Sequence, residues 1–112
     1  IKLQNVVGGI EYSTHVQDIG WMEYVADDGL SGTSGQSKRL EAIRIRLTGE
    51  AAGSYDIYYC VHAQNTGWLD WAKNGESAGT AGFSYRLEAI KIVLVPKDGP
   101  APGLTDRAFV QK

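Results

Sequence analysis

The sequence predicts an all-β domain with internal pseudo-symmetry: antiparallel sheets, in a sandwich or prism-like arrangement, built from two repeats of about 47 residues and closed by terminal strands. Three observations predict it. The chain repeats itself at a fixed offset, its repeats alternate apolar and polar residues with period two, and fourteen glycines supply turns.

The repeat needs no gap. Residues 10–48 align with 57–95, and 17 of the 39 positions are identical. Ile10, Tyr12, His15, Gln17, Gly20 and Trp21 meet Ile57, Tyr59, His62, Gln64, Gly67 and Trp68. Gly32, Thr33, Gly35 and Ser37 meet Gly79, Thr80, Gly82 and Ser84. Arg39-Leu40-Glu41-Ala42-Ile43 returns as Arg86-Leu87-Glu88-Ala89-Ile90, and Ile45 and Leu47 meet Ile92 and Leu94. Each copy reads as one supersecondary unit that buries its apolar face mainly on its neighbour. The 112 residues form a single domain, with repeat 1 at about 10–48, repeat 2 at about 57–95, and terminal strands over 1–7 and 104–112 completing a partial third unit.

In chain order, residues 1–7 read as a short strand before a glycine turn. Along 10–17, Ile10, Tyr12, Thr14 and Val16 point one way, and Glu11, Ser13, His15 and Gln17 the other. Asp18-Ile19-Gly20 and Asn65-Thr66-Gly67 are turns. Residues 21–26 and 68–73 read as second strands, followed by turns at Asp27-Asp28-Gly29 and Asn74-Gly75. Gly32-Thr33-Ser34-Gly35 and Gly79-Thr80-Ala81-Gly82 read as tight loops. Residues 39–47 and 86–95 read as third strands, in which Leu40 and Ala42 fall out of phase with Ile43, Ile45 and Leu47. Either a bulge lies near Ala42, or Glu41 points inward and needs a partner such as Arg39. Residues 96–103 are a loop. Ala108-Phe109-Val110-Gln111 then resembles Val61-His62-Ala63-Gln64, so the two termini are expected to lie adjacent and cover open strand edges.

Composition narrows the function. Eleven basic and thirteen acidic side chains leave a formal charge of −2 without a basic stripe, which argues against nucleic acid. No apolar run approaches the roughly 20 residues of a membrane span. The lone Cys60 permits no internal disulfide, which fits a cytosolic protein and equally a surface protein that avoids disulfides. The chain begins at Ile1 rather than Met, which reads as an excised or processed piece, so a missing signal or anchor carries no meaning.

The pattern Ile-x-Tyr-x-x-His-x-Gln-x-x-Gly-Trp, then Gly-Thr-x-Gly-x-Ser, then Arg-Leu-Glu-Ala-Ile-x-Ile-x-Leu resembles the clostridial hydrophobic repeat with a conserved tryptophan (ChW). Both copies carry it. The resemblance implies a secreted or cell-surface protein of a Gram-positive bacterium. Such repeats stand beside wall hydrolases, glycosidases or adhesive regions, with glycan or protein binding as their suspected role.

Candidate site residues follow from chemistry. Trp21 and Trp68 are either plugs between units or rigid platforms for a sugar ring. Trp71 and its counterpart Tyr24 differ between copies but stay aromatic, as an exposed contact does. His15 and His62 share a strand face with Gln17 and Gln64, which suggests a hydrogen-bonded framework or a set of donors for a glycan. One His per copy, without neighbouring ligands, argues against metal. Asp18 and Asn65, with Asp27, Asp28 and Asn74, place polar turn groups beside aromatics, as sugar sites and ordinary turns both do.

Glu41 and Glu88 occupy equivalent places in similar units, whereas acid–base catalysis needs two carboxylates in different environments. Cys60 lacks the basic context of a reactive thiol, and Gly-Thr-x-Gly lacks the frame of a phosphate loop. The sequence therefore points to a non-catalytic binding module without cofactor or metal. Its expected partner is a glycan or cell-wall polysaccharide, and the alternative is a protein-interaction or adhesion module.

Overall fold

The computed structural model describes residues 8–26, 39–83 and 85–111. They form an all-β protein with two sheets that do not close into a barrel.

The first repeat is built on β1 (Gly9–Val16). The chain turns through Gln17–Ile19 and returns as β2 (Gly20–Trp21), with His15 opposite Trp21. Asp18 and Gly20 both take positive φ there. β3 (Val25–Ala26) pairs further back on β1, with Tyr12 opposite Val25. The single strand expected over 21–26 is thus two short pieces, and 68–73 divides in the same way. The register slips by one residue between the pieces, which breaks the ladder.

β4 (Leu40–Thr48) runs antiparallel along the other edge of β1. His15 pairs with Ala42 and Val16 with Leu40, so Glu41 is the extra residue of a bulge. Both expectations for this strand hold together: the ladder bulges, and Glu41 is buried. A single helical turn, α1 (Glu50–Ser54), joins the repeats. Turn-forming Gly49 and Gly53 flank or interrupt it, and the alternating pattern on either side gives no sign of it.

The second repeat copies this plan. β5 (Tyr55–Ala63) pairs with β6 (Gly67–Trp68) and β7 (Ala72–Lys73) on one edge and with β9 (Leu87–Pro96) on the other. Glu88 is skipped in the β5–β9 ladder as Glu41 is in the first.

Between β7 and β9 the chain leaves its own sheet. β8 (Ser77–Ala81) pairs antiparallel with β4, setting Gly79 opposite Ala42 and Ala78 opposite Ile43. The loop expected at Gly79–Gly82 is therefore largely a strand. Gly79 serves close approach here: a Cβ on it would sit 2.5 Å from the Glu41 carbonyl oxygen and 2.7 Å from the Ala42 Cα. Finally β10 (Phe109–Gln111) joins β8 in parallel. One sheet reads β10-β8-β4-β1-β2, with β3 beside β1, and the other is β5 with β6, β7 and β9.

Of the strand expected over 104–112, only Phe109–Gln111 forms one among the described residues, and it lies beside β8. The strand over 1–7, the turn at Asp27-Asp28-Gly29 and the loop at Gly32-Thr33-Ser34-Gly35 fall outside the described residues, as does the expected meeting of the termini.

The core lies between the sheets. Ile10, Tyr12, Ile43, Ile45 and Leu47 from one sheet meet Ile57, Tyr59, Val61 and Ala63 from the other, with Leu69, Ala72 and Ala78 filling in. The Tyr59 hydroxyl donates to the Glu76 carbonyl, and burial raises its pKa. No helix among the described residues is long and apolar enough to cross a membrane.

Candidate ligand-binding site

The two bulges build the same polar cluster twice. In the first copy the His15 Nδ1 lies 3.1 Å from the Glu41 carboxylate, and the Arg39 Nε donates to its other oxygen at 3.1 Å. In the second copy His62 and Arg86 hold Glu88 at 3.0 and 3.5 Å. Each Trp stands edge-on to its His, with centroids 5.4 Å apart for His15–Trp21 and for His62–Trp68. The side-chain oxygens of Gln17 and Gln64 accept from the backbone N–H of Arg39 and Arg86. The expected His–Gln framework is thus corrected to a His–Glu pair with the Gln beside it, because the bulge turns the Glu toward the His.

Chemically alike, the clusters differ in cover. Arg44 lies 3.8 Å over the Trp21 ring and Phe109 packs beside it. Arg44 is itself held by Ser77 of β8. Trp21 is therefore half-buried at the seam between repeats. Trp68 has Lys91 over its ring at 4.3 Å and remains 46% exposed. One repeated Trp is covered by an Arg and a Phe, and the other stays largely exposed.

Tyr24 and Trp71 are half-buried. The Arg46 guanidinium lies 3.8 Å over the Tyr24 ring. The Trp71 N–H of the backbone donates to the Leu104 carbonyl, and Gly103 lies against its indole. Asp18 is exposed at its turn, while Asn65 borders a cavity.

That cavity has a volume of about 300 Å³ and opens where β8, the Asn65–Thr66 turn and the C-terminal strand meet. Phe83 and Tyr85 stack on each other at 5.4 Å with a 17° tilt and form one wall. Thr66, Thr80, Arg107 and Val110 complete the lining with Asn65. Thr80 is 1% exposed, and its hydroxyl has no hydrogen-bond partner among the described residues. Buried hydroxyls are rarely left so, and this one lines the cavity.

The sequence identified Asn65 in this group and missed the rest. A signal was present in the differences between copies. Phe83 and Tyr85 replace Gln36 and Lys38 of the first repeat, which turns a polar stretch aromatic, and Thr66 replaces Ile19. Attention to identical positions found the framework, and the cavity is lined chiefly by positions where the copies diverge.

A second cavity, of about 160 Å³, borders Arg46, Tyr55, Asn74 and Lys97. Beside it, buried Asp56 accepts from the Asn74 amide at 2.9 Å and the Asp98 N–H at 2.9 Å, with Lys97 at 3.0 Å and Lys73 at 3.6 Å. The Asn74 and Lys97 bonds hold its carboxyl well below the usual carboxylate range. Every partner is satisfied, so this cluster is a brace. Burial pushes the Cys60 thiol up, away from the reactive thiolate. No group of three or more metal-ligating side chains exists among the described residues.

The family model described as Clostridial hydrophobic W matches residues 15–49 and 62–96, together more than half of the chain. No curated protein and no solved structure matches the chain.

Proposed function

Because the chain belongs to the Clostridial hydrophobic W family, a non-catalytic repeat family, we propose that it is a glycan-binding module of a secreted or cell-surface protein from a Gram-positive bacterium. The cavity at the end of β8 carries this reading. A sugar ring needs an apolar platform and a few directed polar groups. The Phe83–Tyr85 stack supplies the platform, and Asn65, Thr66 and the unpartnered Thr80 hydroxyl supply donors and acceptors. The volume falls at the lower end of ligand pockets, roughly 300–1,000 Å³, which suits a ring or two of a polysaccharide chain.

The test is a glycan array with purified wall polysaccharides, run with the wild type and with Tyr85→Ala and Thr80→Val. The expected result is specific binding that each variant weakens about tenfold or more, a loss of at least about 1.4 kcal/mol, with thermal unfolding little changed. Binding to no glycan, or binding indifferent to both substitutions, sinks the proposal.

The alternative, a protein-interaction or adhesion module, is favoured by a different observation. Trp68 and Val93 stand exposed on the same face of the β5 sheet, the face that carries His62.

A further inference from the structure

Beside its aromatic wall and its buried hydroxyl, the cavity at the end of β8 is lined by a cation. Arg107 stands in the lining with Thr80, Phe83 and Tyr85. A neutral sugar does not call for one. Its hydroxyls are met by neutral donors and acceptors, and Asn65, Thr66 and Thr80 already supply these. The lining residues among those described include no carboxylate, so nothing in that set cancels the charge inside the cavity.

The fold fastens Arg107 by its backbone. Its N–H donates to the Asp70 carboxylate at 2.9 Å, and its carbonyl accepts from the Asp70 N–H at 3.0 Å. The carbonyl of the next residue, Ala108, accepts from the Gly79 N–H at 2.9 Å, one position before Thr80. The segment is thus tied to the β6–β7 connection of one sheet and to β8 of the other, which brings Arg107 and Thr80 to one cavity. The other lysines and arginines among the described residues each hold a carboxylate or lie over an aromatic ring. Those groups brace the fold, whereas Arg107 faces a space a ligand can enter.

Resting on the glycan-binding reading of this same cavity, we infer that its ligand is an acidic glycan: a sugar ring bearing a carboxylate, which Arg107 binds. A guanidinium meets a carboxylate with two parallel N–H donors, and such charge-assisted bonds are roughly twice as strong as neutral ones. The Phe83–Tyr85 wall selects a charge carried on a ring over a polyol phosphate chain, which has charge but no ring face to stack. The formal charge of the chain is −2, so its overall field does not gather anions, and the preference for acid is local to the cavity.

Calorimetric titration tests this with polygalacturonate, alginate and hyaluronan, each beside its carboxyl-reduced neutral twin, and with poly(glycerol phosphate). The expected result is that at least one uronate binds about tenfold or more tighter than its twin, with a gap that narrows as salt rises. Arg107→Gln should close that gap and leave the affinity for the neutral twin unchanged. Arg107→Lys keeps the charge without the fork and should restore part of it. Both variants keep the backbone bonds to Asp70, so thermal unfolding should stay close to wild type. Twins bound as tightly as their acids, or a gap that survives Arg107→Gln, would overturn the acidic preference and leave a neutral glycan site standing. Poly(glycerol phosphate) bound as tightly as any uronate would overturn the ring-borne carboxylate. No binding to either member of any pair also overturns the inference, and a glycan array equally blank takes the glycan reading with it.

Discussion

Glu41 and Glu88 hold equivalent partners at nearly equal distances, His15 at 3.1 Å and His62 at 3.0 Å, yet their side chains are 7% and 34% exposed. The bonds are set by the bulge, which each repeat builds from its own residues. The exposure is set by β8, which covers only β4.

This difference predicts unequal costs for the same substitution. Glu41→Ala strips a buried cluster and leaves His15 and Arg39 facing a vacated site, at a cost of about 1–3 kcal/mol. Glu88→Ala removes a solvated group whose ion pairs are worth about 0–1 kcal/mol. Urea titrations of the two variants at one temperature measure both values. Equal losses would mean that cover by β8 does not set the energetics of the cluster.

Asp56 predicts an acid limit. Its carboxyl is held below its ordinary value by Asn74 first, then Lys97, so the folded state releases this proton more readily than the unfolded chain. A lowered folded pKa stabilises the protein above the unfolded value, near 3.9, and that stability is lost as pH falls below it. Thermal melts of the wild type and Asp56→Asn should therefore differ most at neutral pH, and the gap should begin to narrow below about pH 4 and go on narrowing as the pH falls toward the lowered folded value. A constant gap across this range would assign Asp56 a packing role alone.

Gly79 and Gly67 separate crowding from conformation. Both take positive φ, but a Cβ at Gly67 meets nothing within 4 Å, while one at Gly79 meets the Glu41 carbonyl at 2.5 Å. Gly67→Ala should cost about 1–2 kcal/mol, the strain of a left-handed backbone. Gly79→Ala should cost more, since β8 must also withdraw from β4. Chemical denaturation of both variants checks the order, and native-state hydrogen exchange on β4 should rise only in Gly79→Ala.

The sequence by itself determined the repeat unit. Alternation along 10–17, the turn at Asp18–Gly20 and the out-of-phase Glu41 are local features, written in consecutive residues, and the structure has the strand, the turn and the bulge where they were expected. The same local logic misread Gly79. A glycine that admits a neighbouring backbone looks, in sequence, like a glycine that makes a turn. Only the tertiary structure decided that β8 crosses to the other repeat's sheet, and most of the asymmetry follows from that crossing. It buries Ala42 and leaves Ala89 open, and it sets Thr80 beside Phe83 and Tyr85 at a cavity wall. Identical local sequence cannot encode which of its copies receives a distant partner, because burial is a property of what arrives from elsewhere in the chain.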